Sequence, residues 1–214
     1  DRLVQAFRQR IHDDVARAVS RIAGGDTSED VRVNFLNAED FAHGREETED
    51  KRGRKFEEGV IRIEQVAFFP GVDLSPVEAL EAFVDPGFRK ATTSRIEALE
   101  EDGDLSCLRV GGVTGLMSPT WACNRLSYFA SPAVAAEHSQ VVSNPGDDDF
   151  QTIYFKESVK AFVATGDGLA LFYINYTRGA KLGSFKKKLG RGRIEDSQRE
   201  RANAFRDWLE GKTP

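Results

Sequence analysis

The segment Leu169–Leu209 constrains this chain more than any other. It opens on a strongly apolar run, Leu169-Ala-Leu-Phe-Tyr-Ile-Asn-Tyr-Thr177, whose aromatic and β-branched residues predict a strand. A strand this apolar cannot leave either face in water, so the fold must cover both. A glycine-punctuated basic stretch follows, with seven cations at Arg178, Lys181, Lys186, Lys187, Lys188, Arg191 and Arg193. The spacing then predicts a closing helix over 196–210. Ala202, Phe205, Trp208 and Leu209 fall on one face, while Arg199, Glu200, Arg206 and Asp207 fall away from it. Asp196 or Ser197 can cap this helix and Gly211 can end it. The helix is the natural cover for one face of the strand. A sheet, a helical lid and a basic loop between them predict an interior that opens toward something anionic.

Upstream, the periods are just as readable. Leu3, Phe7, Ile11, Val15, Ala18, Val19 and Ile22 recur every three or four residues and predict an amphipathic helix over 2–23, ended by Gly24-Gly25-Asp26. Val31–Leu36 alternates as a strand does. From Asn37 to Lys55 charge dominates, with Glu46, Glu47, Glu49 and Asp50 followed by Lys51, Arg52, Arg54 and Lys55. This reads as a solvated loop or as an electrostatic contact for a protein partner through 45–55, and its mixed signs argue against a nucleic-acid arm. Val60–Phe69 predicts a second strand, stopped by Pro70-Gly71. Ser75 as cap, Pro76 at the first helical position and Glu78 closing a capping box predict a short helix over 76–84. Its core face is Val77, Leu80, Ala82 and Phe83, and Asp85-Pro86-Gly87 stops it.

The next eighty or so residues read as strands: Ile96–Leu99 and Leu105–Val110 around a hairpin signal at 101–104, then Trp121–Phe129, Val134–Val142, Phe150–Phe155 and Val159–Val163. Thr165-Gly166-Asp167-Gly168 turns the chain into the strand at Leu169. No Pro/Ser linker divides this region, so 1–214 reads as one domain.

Size and charge bound the function classes. A chain of 214 residues buries enough surface to need no disulfide scaffold. Its net charge of −5 disfavours wholesale DNA binding, the basic stretch being a local exception. Cys107 and Cys123 have neither zinc nor redox spacing and read as buried thiols, which mildly favours a reducing compartment. No apolar run approaches the roughly 18 residues of a membrane span. The chain begins at Asp1, as a processed or trimmed piece of a longer protein would. His12, His43 and His138 are scattered without metal-ligand spacing, and no Walker loop, dinucleotide fingerprint or Gly-x-Ser-x-Gly elbow occurs. Neither a metal nor a cofactor is therefore expected. Val110-Gly-Gly-Val-Thr-Gly115 lacks a lysine and reads as a bend or bulge.

The order is helix, strands, short helix, a run of antiparallel strands, long terminal helix. It resembles the START-like, or helix-grip, superfamily of lipid and hydrophobic-ligand carriers over nearly the whole chain. Gly59-Val-Ile-Arg-Ile-Glu-Gln-Val66 followed by Val72-Asp-Leu-Ser-Pro-Val-Glu-Ala-Leu80 looks like that family's strand and short helix. Pro119-Thr-Trp-Ala-Cys-Asn-Arg-Leu126 sits where many members place a strand bearing a buried arginine, and Ala202, Phe205, Trp208 and Leu209 look like the gripping helix. The family's usual tryptophan after the short helix is replaced by Phe88-Arg-Lys-Ala. The resemblance implies an α+β fold: a curved antiparallel sheet around a long C-terminal helix, with an N-terminal helix and a short helix after the second strand region. It implies a tunnel for a lipid or other apolar small molecule.

On that basis Trp121, Arg125, Phe155, Leu171, Tyr173, Asn175 and Phe205 are the ligand-binding candidates. Alternation puts Trp121, Cys123, Arg125, Ser127 and Phe129 on one face. Either that face meets solvent, or it meets a cavity in which Arg125 holds a ligand's polar end. Leu169, Leu171, Tyr173, Asn175 and Thr177 form one face of their strand, as a polar site or as satisfied core. Lys181, Lys186, Lys187, Lys188, Arg191 and Arg193, interleaved with Phe185 and Leu189, would dock on an anionic membrane surface or simply solvate a loop. Cys123 or Cys107 with His138 is a weak nucleophile candidate against structural burial. The expected function is lipid-like ligand binding and transfer without catalysis. The alternative is an accessory subunit of a larger complex, with 1–23 as a partner surface. A cyclase- or hydrolase-like enzyme on this scaffold ranks below both, because no acid–base set clusters.

Overall fold

The structure, a computed structural model, describes residues 2–37, 47–49, 55–92, 96–110, 120–143, 155–180 and 184–211. Its elements in order are α1 (Arg2–Ala23), β1 (Asp30–Asn37), β2 (Glu47–Glu49), β3 (Lys55–Pro70), α2 (Pro76–Val84), α3 (Pro86–Thr92), β4 (Ile96–Asp102), β5 (Leu105–Val110), β6 (Thr120–Ala130), β7 (Val134–Ser143), β8 (Phe155–Thr165), β9 (Gly168–Ala180) and α4 (Ser184–Leu209). The strands pair antiparallel in the order β1-β3-β9-β8-β7-β6-β5-β4, and the short β2 adds to β3. Thus the apolar strand predicted at Leu169 is central. It lies between β3 and β8, and each of its faces carries a core.

One core lies under α1. Ile11, Ala18 and Ile22 pack on Val60, Val66, Val159, Val163, Ala170, Phe172, Ile174 and Tyr176. The part of the α1 stripe from Ile11 to Ile22 is therefore spent on the sheet; the side chains of Leu3 and Phe7 lie outside the described residues. The second core lies on the opposite face, where α2, α3 and α4 close over the end of the sheet. Phe205 is its centre, with ring centroids 5.4 Å from Phe69, 5.0 Å from Phe83, 5.3 Å from Phe88 and 5.5 Å from Phe162. These tilted and edge-on contacts suit the aromatic quadrupole.

Local signals account for the helix starts. At α2 the Ser75 Oγ accepts from the Glu78 backbone N–H at 3.3 Å, and Glu78 accepts from the Ser75 N–H at 2.8 Å, so the capping box forms. The stop predicted at Asp85-Pro86-Gly87 is instead a second start. Asp85 Oδ1 accepts from the Phe88 N–H at 3.0 Å and Pro86 opens α3. Asp-Pro uses the same cap-then-proline grammar as Ser75-Pro76. The turn between β8 and β9 depends on Gly168, whose φ is +147°; an added Cβ would lie 2.2 Å from the Phe69 carbonyl oxygen.

Three further expectations change. Phe155–Thr165 is one continuous strand, where alternation broken by Lys156-Glu157-Ser158 suggested two; Phe150–Tyr154 lie outside the described residues. Cys107 and Cys123 form a disulfide, because their separation of 16 residues places them opposite each other on β5 and β6. That removes the ground for favouring a reducing compartment. Finally, the basic stretch is mostly helix, since α4 begins at Ser184. Gly190 and Gly192 each disfavour helix by about 1 kcal/mol relative to alanine, which is why this stretch reads as a loop. Packing overrides that local preference. Gly190 faces the Phe35 ring of β1 with room for little more than a Cβ, and the Arg191 guanidinium lies 5.9 Å from the same ring.

Candidate functional site

Strand register sets which side chains meet beneath α4. Side chains at directly paired positions share a face, so Leu169, Leu171, Tyr173 and Asn175 of β9 point to the same side as Phe162, Lys160 and Ser158 of β8. Moving along the strands, the first rows are apolar and join the phenylalanine core. The next row is polar across five strands: Gln65, Tyr173, Lys160, Glu137 and Tyr128 are successive pair partners on β3, β9, β8, β7 and β6. Beyond it come Ile63, Asn175, Ser158, Ser139 and Leu126, then Ile61, Thr177 and Lys156.

The polar row is tied together and to α4. Gln65 Nε2 donates to the Gln198 carbonyl of α4 at 2.9 Å. Lys160 donates to the carboxylate of Glu137, itself 2% exposed, and Tyr128 donates to the same carboxylate at 3.3 Å. Asn175 Oδ1 accepts from Thr177 at 2.7 Å, and its Nδ2 is buried with no partner among the described residues. Two arginines descend from the helices. Arg201 of α4 lies 4.5 Å over the Phe83 ring, with its buried Nε also unpartnered among the described residues. Arg89 of α3 reaches Ser106 Oγ at 3.5 Å.

Charge in this cluster is unbalanced. Burial pushes the Lys160 ammonium down to about 8; Glu137 pulls the other way, while Arg201 and Arg89 add to the burial effect. Burial also lowers Lys156, and Arg89 and Arg201 lower it further. Arg201 is lowered by burial and by Arg89, against Tyr173 and Glu137, and the Tyr173 phenol is pushed up to about 12, first by burial. Among the described residues, Lys156, Lys160 and Arg201 share this region with the single carboxylate of Glu137, and Arg89 acts on all three. Lys156, Lys160, Tyr173 and Arg201 lie deep in the molecule yet keep accessible surface.

Of the residues predicted for the site, Tyr173 and Asn175 belong to this cluster. Leu171 and Phe205 do not: both are fully buried in the aromatic-capped core and have no surface to offer a ligand. Arg125 is corrected outright. It is 61% exposed and pairs with Asp104 at 3.2 Å, so the solvent-facing alternative holds for its face, with Phe129 also exposed there. A β-strand's period fixes which residues share a face, not which face is covered, and α1 covers only part of that side. The side chains of Trp121 and Phe155 lie outside the described residues. So do Lys181 and the side chains of Lys186 and Lys187, whereas Lys188, Arg191 and Arg193 are exposed along the first turns of α4.

Lys156, Lys160, Glu137, Arg89 and Arg201 went unnoticed in the sequence. A signal existed: Lys156, Ser158 and Lys160 alternate with Glu157, Val159 and Ala161, so successive positions on one face of the strand are all polar. A second hidden network lies under α1. Asp14 accepts from Arg62 Nη2 at 2.9 Å and from the Tyr176 hydroxyl at 2.9 Å, and it pairs with Arg17. Burial alone would raise Asp14, but Arg62, Tyr176 and Arg17 outweigh it and hold the carboxyl below its usual range. Beside it, the buried Glu157 meets His138 Nε2 at 2.6 Å and Arg8 at 3.6 Å. These contacts seat α1 on the sheet. His138 is thereby committed to Glu157, on a different strand from both cysteines, which are bonded to each other. No group of three or more potential metal ligands occurs among the described residues.

No family profile matches this chain. No curated protein sequence matches it either. Solved structures do. A STAR-related lipid transfer protein from Xanthomonas axonopodis superposes with a TM-score of 0.54 at 13% identity, over 78% of this chain and 99% of that one. Human STARD10 gives 0.54 at 11% identity, over 92% and 80% of the two chains. Human StAR-related lipid transfer protein 5 gives 0.53 at 11% identity, over 97% and 98%. With the open antiparallel sheet and the long C-terminal helix laid across it, this chain has the START-like helix-grip fold.

Proposed function

We propose that the protein binds a lipid-like or other amphipathic small molecule between the inner face of the sheet and α4, and that it acts as a carrier and not an enzyme. One observation carries this reading. On the inner face beyond the phenylalanine core, Ile61, Ile63, Leu108, Leu126 and Val141 are only half-buried by the described residues beside the polar row. Apolar walls with a few convergent polar groups are what a small-molecule site requires. Two of the similar structures are named as lipid transfer proteins, which is consistent with the reading.

Within this proposal 1–214 acts as one domain. The exposed Lys188, Arg191 and Arg193, with Lys181, Lys186 and Lys187 near them in sequence, form the surface that docks on an anionic membrane while ligand exchanges. The accessory-subunit alternative is less supported, because Ile11, Val15, Ala18, Val19 and Ile22, from the α1 stripe it would use, pack on the sheet. The test is native mass spectrometry of the purified protein, lipid analysis of an organic extract, and uptake of a fluorescent lipid from vesicles. A bound apolar species near one-to-one, or saturable uptake, is expected. An empty protein that also extracts nothing from vesicles overturns the proposal.

A further inference from the structure

We infer that the ligand's head is anionic, a carboxylate or phosphate on an apolar tail, seated on Lys156, Lys160 and Arg201. The inference rests on the reading that the inner face takes an amphipathic molecule, and it names the class. The charge imbalance carries it. Lys156 and Lys160, on the inner face of β8, and Arg201 from α4 converge on one region, and the single described carboxylate there, Glu137, is already engaged by Lys160 and Tyr128. Like charges away from water repel strongly, and a counter-anion relieves them. Donors without acceptors point the same way. Arg201 Nε and Asn175 Nδ2 are both buried and without a hydrogen-bond partner among the described residues. A neutral hydroxyl head would accept one such bond and leave the excess charge in place. An oxyanion accepts several, and charge-assisted bonds of this kind are the strong ones.

The tail has a direction. One end of the inner face is closed by Phe69, Phe83, Phe88, Phe162 and Phe205, so an acyl chain runs the other way, over Ile61, Ile63 and Leu126. A pH dependence follows. The groups facing Lys160 are Glu137 from β7, Tyr173 from β9, Arg89 from α3, Arg201 from α4 and Lys156 on its own strand. Because burial, with Arg201 and Arg89, pushes Lys160 down to about 8, an entering anion stabilises its ammonium form and takes up a proton. Affinity for the anion falls as pH rises past that value.

Calorimetry on the full chain tests this with four probes: oleate, oleoyl lysophosphatidate, oleyl alcohol and inorganic phosphate. At least one of the two anionic amphiphiles should bind at least ~10-fold tighter than the alcohol of the same chain, the scale of one charged hydrogen bond. Which one is tighter identifies carboxylate or phosphate. The preference should shrink about tenfold in Lys156→Met or Arg201→Met, through loss of anion affinity larger than any change in alcohol affinity. Anion affinity should fall severalfold from about pH 7 to about pH 9, and Lys160→Arg should flatten that slope. Alcohol binding as tight as both anionic chains overturns the inference and leaves the carrier reading standing. Failure of all four probes overturns both. Inorganic phosphate binding as tightly as lysophosphatidate overturns the amphiphile in favour of a free anion. If the variants do not fold, the wild-type probe series at two pH values decides alone.

Discussion

Removing the Asp14 carboxylate is the sharpest test of how α1 is held. Asp14 is 7% exposed and sits at the intersection of three elements: its own helix, Arg62 of β3 and Tyr176 of β9. Asp14→Ala leaves the Arg62 guanidinium, 16% exposed, beneath the helix with part of its hydrogen bonding unmet. Breaking one side of a buried pair costs about 3–5 kcal/mol. Arg62 keeps Glu64 and the Tyr176 hydroxyl at 2.8 Å as partners, so the lower end, about 3 kcal/mol, is the expectation. For a chain of this size that is a drop in Tm of roughly 6–12 °C. Urea unfolding followed by circular dichroism at neutral pH measures it, with an unchanged m-value showing that the native fold persists. The double variant Asp14→Leu/Arg62→Met removes both charges and should be less damaged than the sum of the single changes, by about 1–2 kcal/mol or more. The carboxyl's native pKa is held below its ordinary 3.8. Its contribution is therefore present above that value and lost as pH falls through the native one, so wild type and Asp14→Asn should converge in acid. A single-variant cost below about 1 kcal/mol, or strict additivity in the double variant, would refute the reasoning.

Phe205→Ala should cost about 3–5 kcal/mol by opening a cavity among four phenylalanine rings; a Tm close to wild type would show that the helices repack. Gly168→Ala forces a Cβ against the Phe69 carbonyl at a φ of +147°, and thermal melts should show a loss of about 1–3 kcal/mol or more. Stability should rise between pH 8 and 10, because the unfolded chain keeps the proton that Lys160, pushed down to about 8, releases in the native state. Above 10 it should fall again, as the raised native pKa values of Tyr173 and Tyr176, both about 12, let the unfolded phenols ionise first. Guanidinium midpoints across that range, with Lys160→Met as control, detect the rise; a flat or falling profile from 8 to 10 contradicts it.

Much of the architecture was readable one residue at a time. Helix α1 carries a clean stripe at period 3.6, α2 carries its cap, proline and capping-box glutamate within four positions, and β9 is a continuous apolar and aromatic run. Each signal is a property of neighbouring backbone, so neighbouring residues suffice to show it. The same holds for the C-terminal half of α4, where Ala202 and Phe205 are buried as the spacing required. Even Asp14 was visible in principle, as a charge within the stripe between Ile11 and Ala18.

The rest depended on partners far away in the chain. The first half of α4 is helical against the preference of Gly190 and Gly192 because it lies on β1, about 150 residues earlier. Cys107 and Cys123 became a disulfide only when β5 and β6 paired in one register. Arg125 and Lys160 show the limit most clearly. Each is a cation in a strand with apolar neighbours, and alternation says only which residues it shares a face with. Long-range pairing and the placing of helices put Arg125 in solvent with Asp104 and Lys160 beneath α4 with Glu137. Periodicity belongs to the backbone and is written locally; burial belongs to whatever arrives on each side, and only the folded chain settles that.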